Sequence, residues 1–215
     1  EFKLLQSQIK PHFLYNSLET INSLINLQRY DSAIEFVRHL GSFYRISLSA
    51  GSDMIPIGEE LTIIRSYLFM QRMRYSDVLD FRVDCAPGLA TYLIPKLTLQ
   101  PIVENAIYHG LKNKKEKGYL DVSVESSNDR IRLTVTDDGV GIPSPRIPGL
   151  LTQDPSAHSA GSFGLGSVHQ RIRLLYGPEF GLRIESEPGR YTRVTVIIPI
   201  VRGGKDHEST EAADR

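Results

Sequence analysis

Asn105, His109 and Lys112 fall at spacings of four and three, so a helix would set an amide, an imidazole and an ammonium on one face. That face makes a poor core and a good platform for an anion and a metal. An amide oxygen is a hard ligand of the kind Mg²⁺ takes, and the two basic groups can meet phosphate oxygens. The plain alternative is a solvated polar face. Val135-Thr136-Asp137-Asp138-Gly139-Val140-Gly141-Ile142 ends a strand pattern with a carboxylate and two glycines. Asp137 there can accept a hydrogen bond from an exocyclic amine, while Gly139 and Gly141 let backbone pass close to a ligand. An ordinary acidic turn would read the same way. Gly161-Ser162-Phe163-Gly164-Leu165-Gly166-Ser167 stands just before a helical stretch, where free N–H groups and close backbone approach can cradle phosphate. Lastly, His12 follows Pro11 at one edge of an apolar stripe, near Gln8, Tyr15 and Glu19 at helical spacing. The proline should bend that helix, and a neutral imidazole is a competent phosphoryl acceptor. A surface histidine beside a chance kink is the competing reading.

Each segment alone is weak; the four in one chain are not. Neither G-x-x-x-x-G-K-[ST] nor a strand-linked G-x-G-x-x-G is present, which closes the P-loop and Rossmann routes to a nucleotide.

The elements that must position these residues divide into two textures. Residues 1–76 read as helical. Apolar residues recur from Leu5 through Ile9, Phe13, Leu14, Leu18, Ile21 and Leu24 to Ile25, within a helix expected over Leu4–Leu27. The stripe is wide enough for several neighbours, as in a bundle. Further helices are expected over Asp31–Leu48 and from Ile57 to about Tyr75. Residues 77–201 read as an α+β domain with an antiparallel or mixed sheet. Strands are expected over 79–85, 119–125, 130–136, 182–187 and 192–200, with hairpins at Ser126–Asp129 and Pro188-Gly189. Helices are expected over Ile94–Leu111 and Leu165–Leu175. Residues 139–164 lack periodicity and form a candidate lid. The polar tail 202–215 is expected to be disordered.

Lys plus Arg and Asp plus Glu are equal at 25 each among 215 residues, so no net charge argues for nucleic acid or an anionic membrane as partner. Cys85 is the lone cysteine and suits a reducing compartment. No run of about 18 apolar residues is long enough to span a bilayer. The start has no signal-peptide pattern. It opens in mid-helix without a cap, as a piece of a longer protein would, and any membrane spans are expected in segments absent from it.

Over residues 3–200 the sequence resembles the LytS/YesM-type sensor histidine kinases, which carry a Bergerat (GHKL-type) ATP-binding fold. Gln8-Ile9-Lys10-Pro11-His12-Phe13-Leu14-Tyr15-Asn16 is similar to the family's phosphoacceptor box. Gln100-Pro101-Ile102-Val103-Glu104-Asn105-Ala106 with His109-Gly110 is similar to its N box. Asp137, Gly139 and Gly141 match its D-x-G-x-G box, and Gly164-Leu165-Gly166 matches the second glycine box. The resemblance implies a helical dimerisation region followed by an α/β sandwich, and ATP with Mg²⁺ as the nucleotide. It implies His12 as the phosphorylated residue, Asn105 on Mg²⁺, His109 and Lys112 near the phosphates, and Asp137 on the adenine amino group. It further implies a homodimer, a response-regulator receiver domain as partner, and a cytoplasmic place in a membrane-anchored sensor. Lys10 stands where the family commonly has Asn, and Ser162 where related kinases often place glycine.

Two rival functions follow from the same boxes. In gyrase- or MutL-like ATPases water is the acceptor, and a catalytic Glu lies four residues before the metal-binding Asn. Here that position is Pro101, which cannot activate water. A degenerate kinase serving only as a dimeric signal relay is the second; every box residue it would be expected to lack is present.

Overall fold

The computed structural model describes residues 11–49, 53–75, 79–152 and 163–201. Helix α1 is described over Pro11–Asn26. The expected bend at Pro11, in a helix from Leu4, falls on residues 1–10, outside those described. The 202–215 tail also lies outside them. Helix α2 (Tyr30–Ser47) packs back on α1, and helix α3 (Ile57–Arg74) packs on α2.

An aromatic cluster fastens these three helices. The Phe13 ring lies 5.3 Å from Phe43 of α2 and 5.4 Å from Tyr67 of α3, centroid to centroid, distances that favour tilted aromatic pairs. Because Phe13 points inward, His12 beside it points to solvent. Helix α3 is buried on most of its circumference, from Ile57 and Leu61 to Leu68 and Met70. It therefore lies between α2 and the strands that follow.

Those strands form a mixed five-stranded sheet in the order β2 (Leu79–Cys85), β4 (Gly118–Ser127), β5 (Arg130–Asp137), β7 (Tyr191–Pro199), β6 (Gly181–Glu187). The β2–β4 pair is parallel and the other pairs are antiparallel. The β4–β5 hairpin turns at Asn128 and Asp129, with φ of 52° and 56°, the paired left-handed residues of a two-residue turn matched to strand twist. Alternation places Leu120, Val122 and Val124 in one buried row. Ile131, Leu133 and Val135 form a second, and Val194, Val196 and Ile198 a third. Helix α4 (Gln100–Asn105) and helix α6 (Phe163–Tyr176) pack against each other, and α6 also packs on β6 and β7.

Two expectations are corrected. The helix expected over Ile94–Leu111 begins at Gln100. Leu93–Pro95 is instead a strand, β3, antiparallel to β1 (Met54–Pro56), and Leu97 adopts a left-handed φ of 58°. A buried carboxylate from α3, Glu60, captures the N–H groups of Leu97 and Leu99 at 2.9 and 2.8 Å, an interaction local propensity cannot foresee. The stretch after α4 is no regular helix either: Ala106–Gly110 is a π-turn and Leu111–Asn113 a 3₁₀ turn. The segment read as a structureless loop also carries a 3₁₀ turn at Ser144–Arg146 and a short helix, α5 (Ile147–Leu151), and its Phe163 and Gly164 already belong to α6. Residues 153–162 of that segment lie outside those described.

Candidate nucleotide site and acceptor histidine

Asp137 ends the buried row of β5, where strand alternation would otherwise place an apolar side chain. It is 3 % exposed. Burial therefore pushes its carboxyl up to about 7; the Gly139 N–H it accepts works against the shift, and the charge of Asp138 adds to it. Directly across the ladder sits Thr192, at the start of the buried row of β7. Asp138 has a different occupation. Its carboxylate accepts the Tyr119 N–H at 2.7 Å and pairs with Lys114 at 2.9 Å. Of two adjacent carboxylates, Asp138 ties strands together, while Asp137 accepts the Gly139 N–H at 3.0 Å.

Glycine is required beside Asp137. A Cβ on Gly110 would strike the Asp137 carboxylate, and one on Gly139 would fall on the backbone of Gly110. Gly141 has φ of +68°, and a Cβ there would strike the carbonyl of Glu187. The chain leaving β5 is thus pressed onto the β6–β7 hairpin. Two bonds hold it there, Gly189 N–H to the Val140 carbonyl and Ile142 N–H to Ser186 Oγ, both 2.8 Å.

These features border a cavity of about 400 Å³. One wall comes from the α4–π-turn segment, with Ile102, Asn105, Ala106, His109, Gly110 and Asn113. The floor is Val135, Asp137, Thr192 and Val194. The roof is Val140 to Pro143 with Arg146 and Leu150, and Leu165 of α6 closes one side. A mostly apolar cleft with a few convergent polar groups suits a flat heteroaromatic ring with a charged end. The Asn105 amide nitrogen donates to the Pro101 carbonyl at 2.9 Å, so its oxygen is the atom left for a ligand.

Of the residues singled out from sequence, Asn105, His109, Asp137, Gly141 and Leu165 line this cavity. Gly139 supports Asp137 from behind, and Gly164 packs on Asn105 and Pro101. Gly166 does not line the cavity. Lys112 does not line it. Its Nζ lies 4.0 Å from the ring centroids of both Tyr75 and Tyr108. The face expected to hold Asn105, His109 and Lys112 is split because a π-turn rotates less per residue than an α-helix and the 3₁₀ turn after it rotates more. Thr192, Arg146 and Asn113 escaped sequence reasoning. Only Thr192 left a signal, as a polar residue in an otherwise apolar alternating row.

His12 stands apart from the cavity lining, exposed near the start of α1. The buried Asn16, one turn on, sets its amide nitrogen 2.9 Å from Nδ1 and 3.2 Å from Nε2. One amide cannot donate in line to both nitrogens of a ring, so the contact fixes the imidazole by its edge, and the shorter distance marks Nδ1 as the partner.

A helical front followed by a mixed-sheet sandwich, with an acid at the end of a central strand and a glycine turn facing an asparagine, defines a class of nucleotide-binding kinase-like ATPase domains. The chain belongs to the family described as histidine kinase-, DNA gyrase B-, and HSP90-like ATPases, which matches residues 95–202, and residues 1–79 match the family described as histidine kinase. The sensor histidine kinase YesM of Bacillus subtilis is 36% identical over 199 residues, 93% of this chain and 33% of that protein. The sensor histidine kinase BtsS of Escherichia coli is 30% identical with the same coverage. The sensor protein LytS of Streptococcus mutans is 32% identical over 96% of this chain and 35% of its own length. The chain thus spans about a third of the curated relatives it matches. Among solved structures, the histidine kinase domain of the Erythrobacter litoralis EL346 blue-light activated kinase superposes with a TM-score of 0.51. It covers 92% of both chains at 22% identity, a likeness of fold. The catalytic domain of histidine kinase ThkA gives 0.52 over 69% of this chain and 95% of that one, at 17% identity.

Proposed function

We propose that this chain is the kinase core of a bacterial two-component sensor, which binds ATP in the 400 Å³ cavity and transfers its γ-phosphoryl group to His12. The observation that carries the reading is the buried carboxylate of Asp137, anchored by the Gly139 N–H and lining the cavity together with Asn105 and His109. In this reading Asp137 accepts the adenine amino group, with Thr192 beside it. Gly139 and Gly141 admit the ring. Asn105, His109 and the N–H groups of Gly164-Leu165-Gly166 take the triphosphate end. Lys112 joins them only by leaving its clamp between Tyr75 and Tyr108.

The donor set fits Mg²⁺ carried in by the nucleotide. Among the described residues no cluster of three His, Cys, Asp or Glu side chains could hold a metal ion. Asn105 Oδ1 would be the protein ligand, and phosphate and water oxygens the rest, as this cation prefers. Bound there, Mg²⁺ would offset charge on the β- and γ-phosphates. An imidazole nitrogen of His12 attacks the γ-phosphorus, the bond to the bridging β–γ oxygen breaks, ADP leaves, and a phosphoramidate remains. Asn16 orients the ring. An amide turned to place Oδ1 at an Nδ1–H would leave the Nε2 lone pair for attack. Because His12 does not line the cavity, transfer needs either a movement of the helical part or a second copy of the chain.

A homodimer is part of the proposal. Helices α1 and α2 leave Tyr15 (69 %), Leu18 (52 %), Ile34 (52 %) and Val37 (50 %) exposed, more apolar surface than a lone helical pair needs. A response-regulator aspartate would then take the phosphate from His12. Residues 1–76 would serve association and acceptance, and 77–201 nucleotide binding. No described helix is long and apolar enough to cross a membrane. A cytoplasmic position in a membrane-anchored sensor therefore rests on segments outside this chain. The rival ATPase reading lacks its water-activating residue: position 101 is a proline whose carbonyl is bound to Asn105.

The test is incubation with γ-labelled ATP and Mg²⁺. Label on protein that is acid-labile and alkali-stable, and lost in both His12→Gln and Asn105→Ala, is the expected result. Steady phosphate release with no label on protein would support the ATPase instead.

A further inference from the structure

Glu60 is fully buried, 0 % exposed, on the first turn of α3, and does not line the nucleotide cavity. A lone buried carboxylate is costly unless it is hydrogen-bonded, and this one is held on both oxygens. Its Oε2 accepts the Leu97 N–H and its Oε1 the Leu99 N–H. The left-handed Leu97 (φ 58°) is what turns two alternate N–H groups toward one acid.

Arg171 of α6 grips the same loop from the other side. One guanidinium nitrogen donates to the Lys96 carbonyl and the other to Thr98 Oγ1, each at 3.0 Å. Thr98 Oγ1 in turn donates to the Pro95 carbonyl at 2.6 Å. Residues 95–99 are thereby fixed on their N–H side by an acid and on their C=O side by a cation. Leu99 is the residue from which α4 starts; its carbonyl receives the N–H of Ile102 and of Val103.

We propose that Glu60, Thr98 and Arg171 are positioning residues for the phosphate end of the nucleotide site. They fix the start of α4, which carries Asn105, against α6, which carries Gly164-Leu165-Gly166. Gly164 and Arg171 are seven apart, two turns along one helix face, so one face of α6 meets Asn105 at its start and the 95–99 loop further on. The floor under Asp137 belongs to the sheet and does not depend on this loop. Glu60 also belongs to α3, the helix leading out of the region that bears His12, which makes the loop a mechanical joint between the two regions.

The inference rests on the nucleotide reading above, and the experiment separates the two. Binding of fluorescent ATP with Mg²⁺, and of adenosine by competition, is measured on the whole chain for wild type, Glu60→Gln, Arg171→Lys, Thr98→Val and Thr98→Ser. The expected result is a five- to twentyfold loss of ATP affinity in the first three variants, adenosine affinity within twofold of wild type, and recovery in Thr98→Ser. Equal losses for ATP and adenosine would reduce the group to a general structural support and overturn the proposal, as would ATP affinity unchanged in all variants. Where Glu60→Gln fails to fold, the Thr98→Val and Thr98→Ser pair, which leaves the buried charges intact, decides alone. A wild-type chain that binds neither ligand would instead overturn the nucleotide reading itself.

Discussion

Gly164 and Asn105 touch: a methyl group built on Gly164 would lie 3.2 Å from the Asn105 amide nitrogen and equally close to Pro101 Cβ. Two motifs far apart in sequence are thus one packed unit, with the glycine turn of α6 resting on the residue assigned to the metal–phosphate end. Gly164→Ala should force that contact apart by a few tenths of an ångström. Overpacking of this kind costs about 1–3 kcal/mol. We expect ATP affinity to fall about five- to tenfold with adenosine nearly unaffected; titration with both ligands checks it.

His12 is exposed and lies off the cavity, so His12→Gln should abolish phosphorylation while leaving ATP affinity unchanged. Asn16→Leu tests the orienting contact. Losing one oriented imidazole rotamer should slow labelling roughly tenfold or more without moving the ATP concentration for half-maximal rate. Single-turnover labelling at several ATP concentrations separates the two effects. A changed half-saturation with an unchanged rate would assign Asn16 to another role.

Asp137 gives a pH signature of known sign. Its folded carboxyl is raised to about 7, chiefly by burial, so between about pH 4 and about pH 7 the folded chain keeps a proton the unfolded chain has lost. The associated stability is fully present at the acid end and is lost as pH rises through about 7. Glu60, raised to about 7 by burial against its backbone hydrogen bonds, acts in the same direction. Thermal melts of the ligand-free chain should therefore show a decline between about pH 4 and about pH 7 that Asp137→Asn makes shallower. Binding runs the other way. A carboxylate that accepts an amino group must be ionised, so adenosine affinity should climb through pH 7 in wild type and stay weak in Asp137→Asn.

Lys112 tests a clamp against a phosphate contact. Sandwiched by Tyr75 and Tyr108, its ammonium is worth about 0.5–2 kcal/mol to stability as a cation–π contact. Lys112→Met should lower the melting temperature accordingly and leave adenosine binding alone. If ATP affinity also falls tenfold, the lysine leaves its clamp for the phosphates. If it holds, the role is confined to joining the end of α3 to the 106–113 turns.

Much of this protein is legible without coordinates. Strand alternation over 79–85 and 130–136, the hairpin residues Asn128 and Asp129, and the helical stripe through Phe13 are local properties. Side-chain period and backbone freedom act over a few residues, and the pattern on the page is the pattern in space. Spacing and residue type also single out Asp137 and Asn105, and both line the cavity.

Only the tertiary structure decided where α4 begins, because the N–H groups of Leu97 and Leu99 are claimed by Glu60, an acid from another helix. It alone moved Lys112 off the shared face, through a π-turn no composition announces. It also set Thr192 beside Asp137 and Arg146 over the cavity, both consequences of pairing and packing between distant segments. A short stretch of chain encodes its own periodicity, but not which remote partner will satisfy its polar groups; burial settles that, and burial is a property of the whole fold.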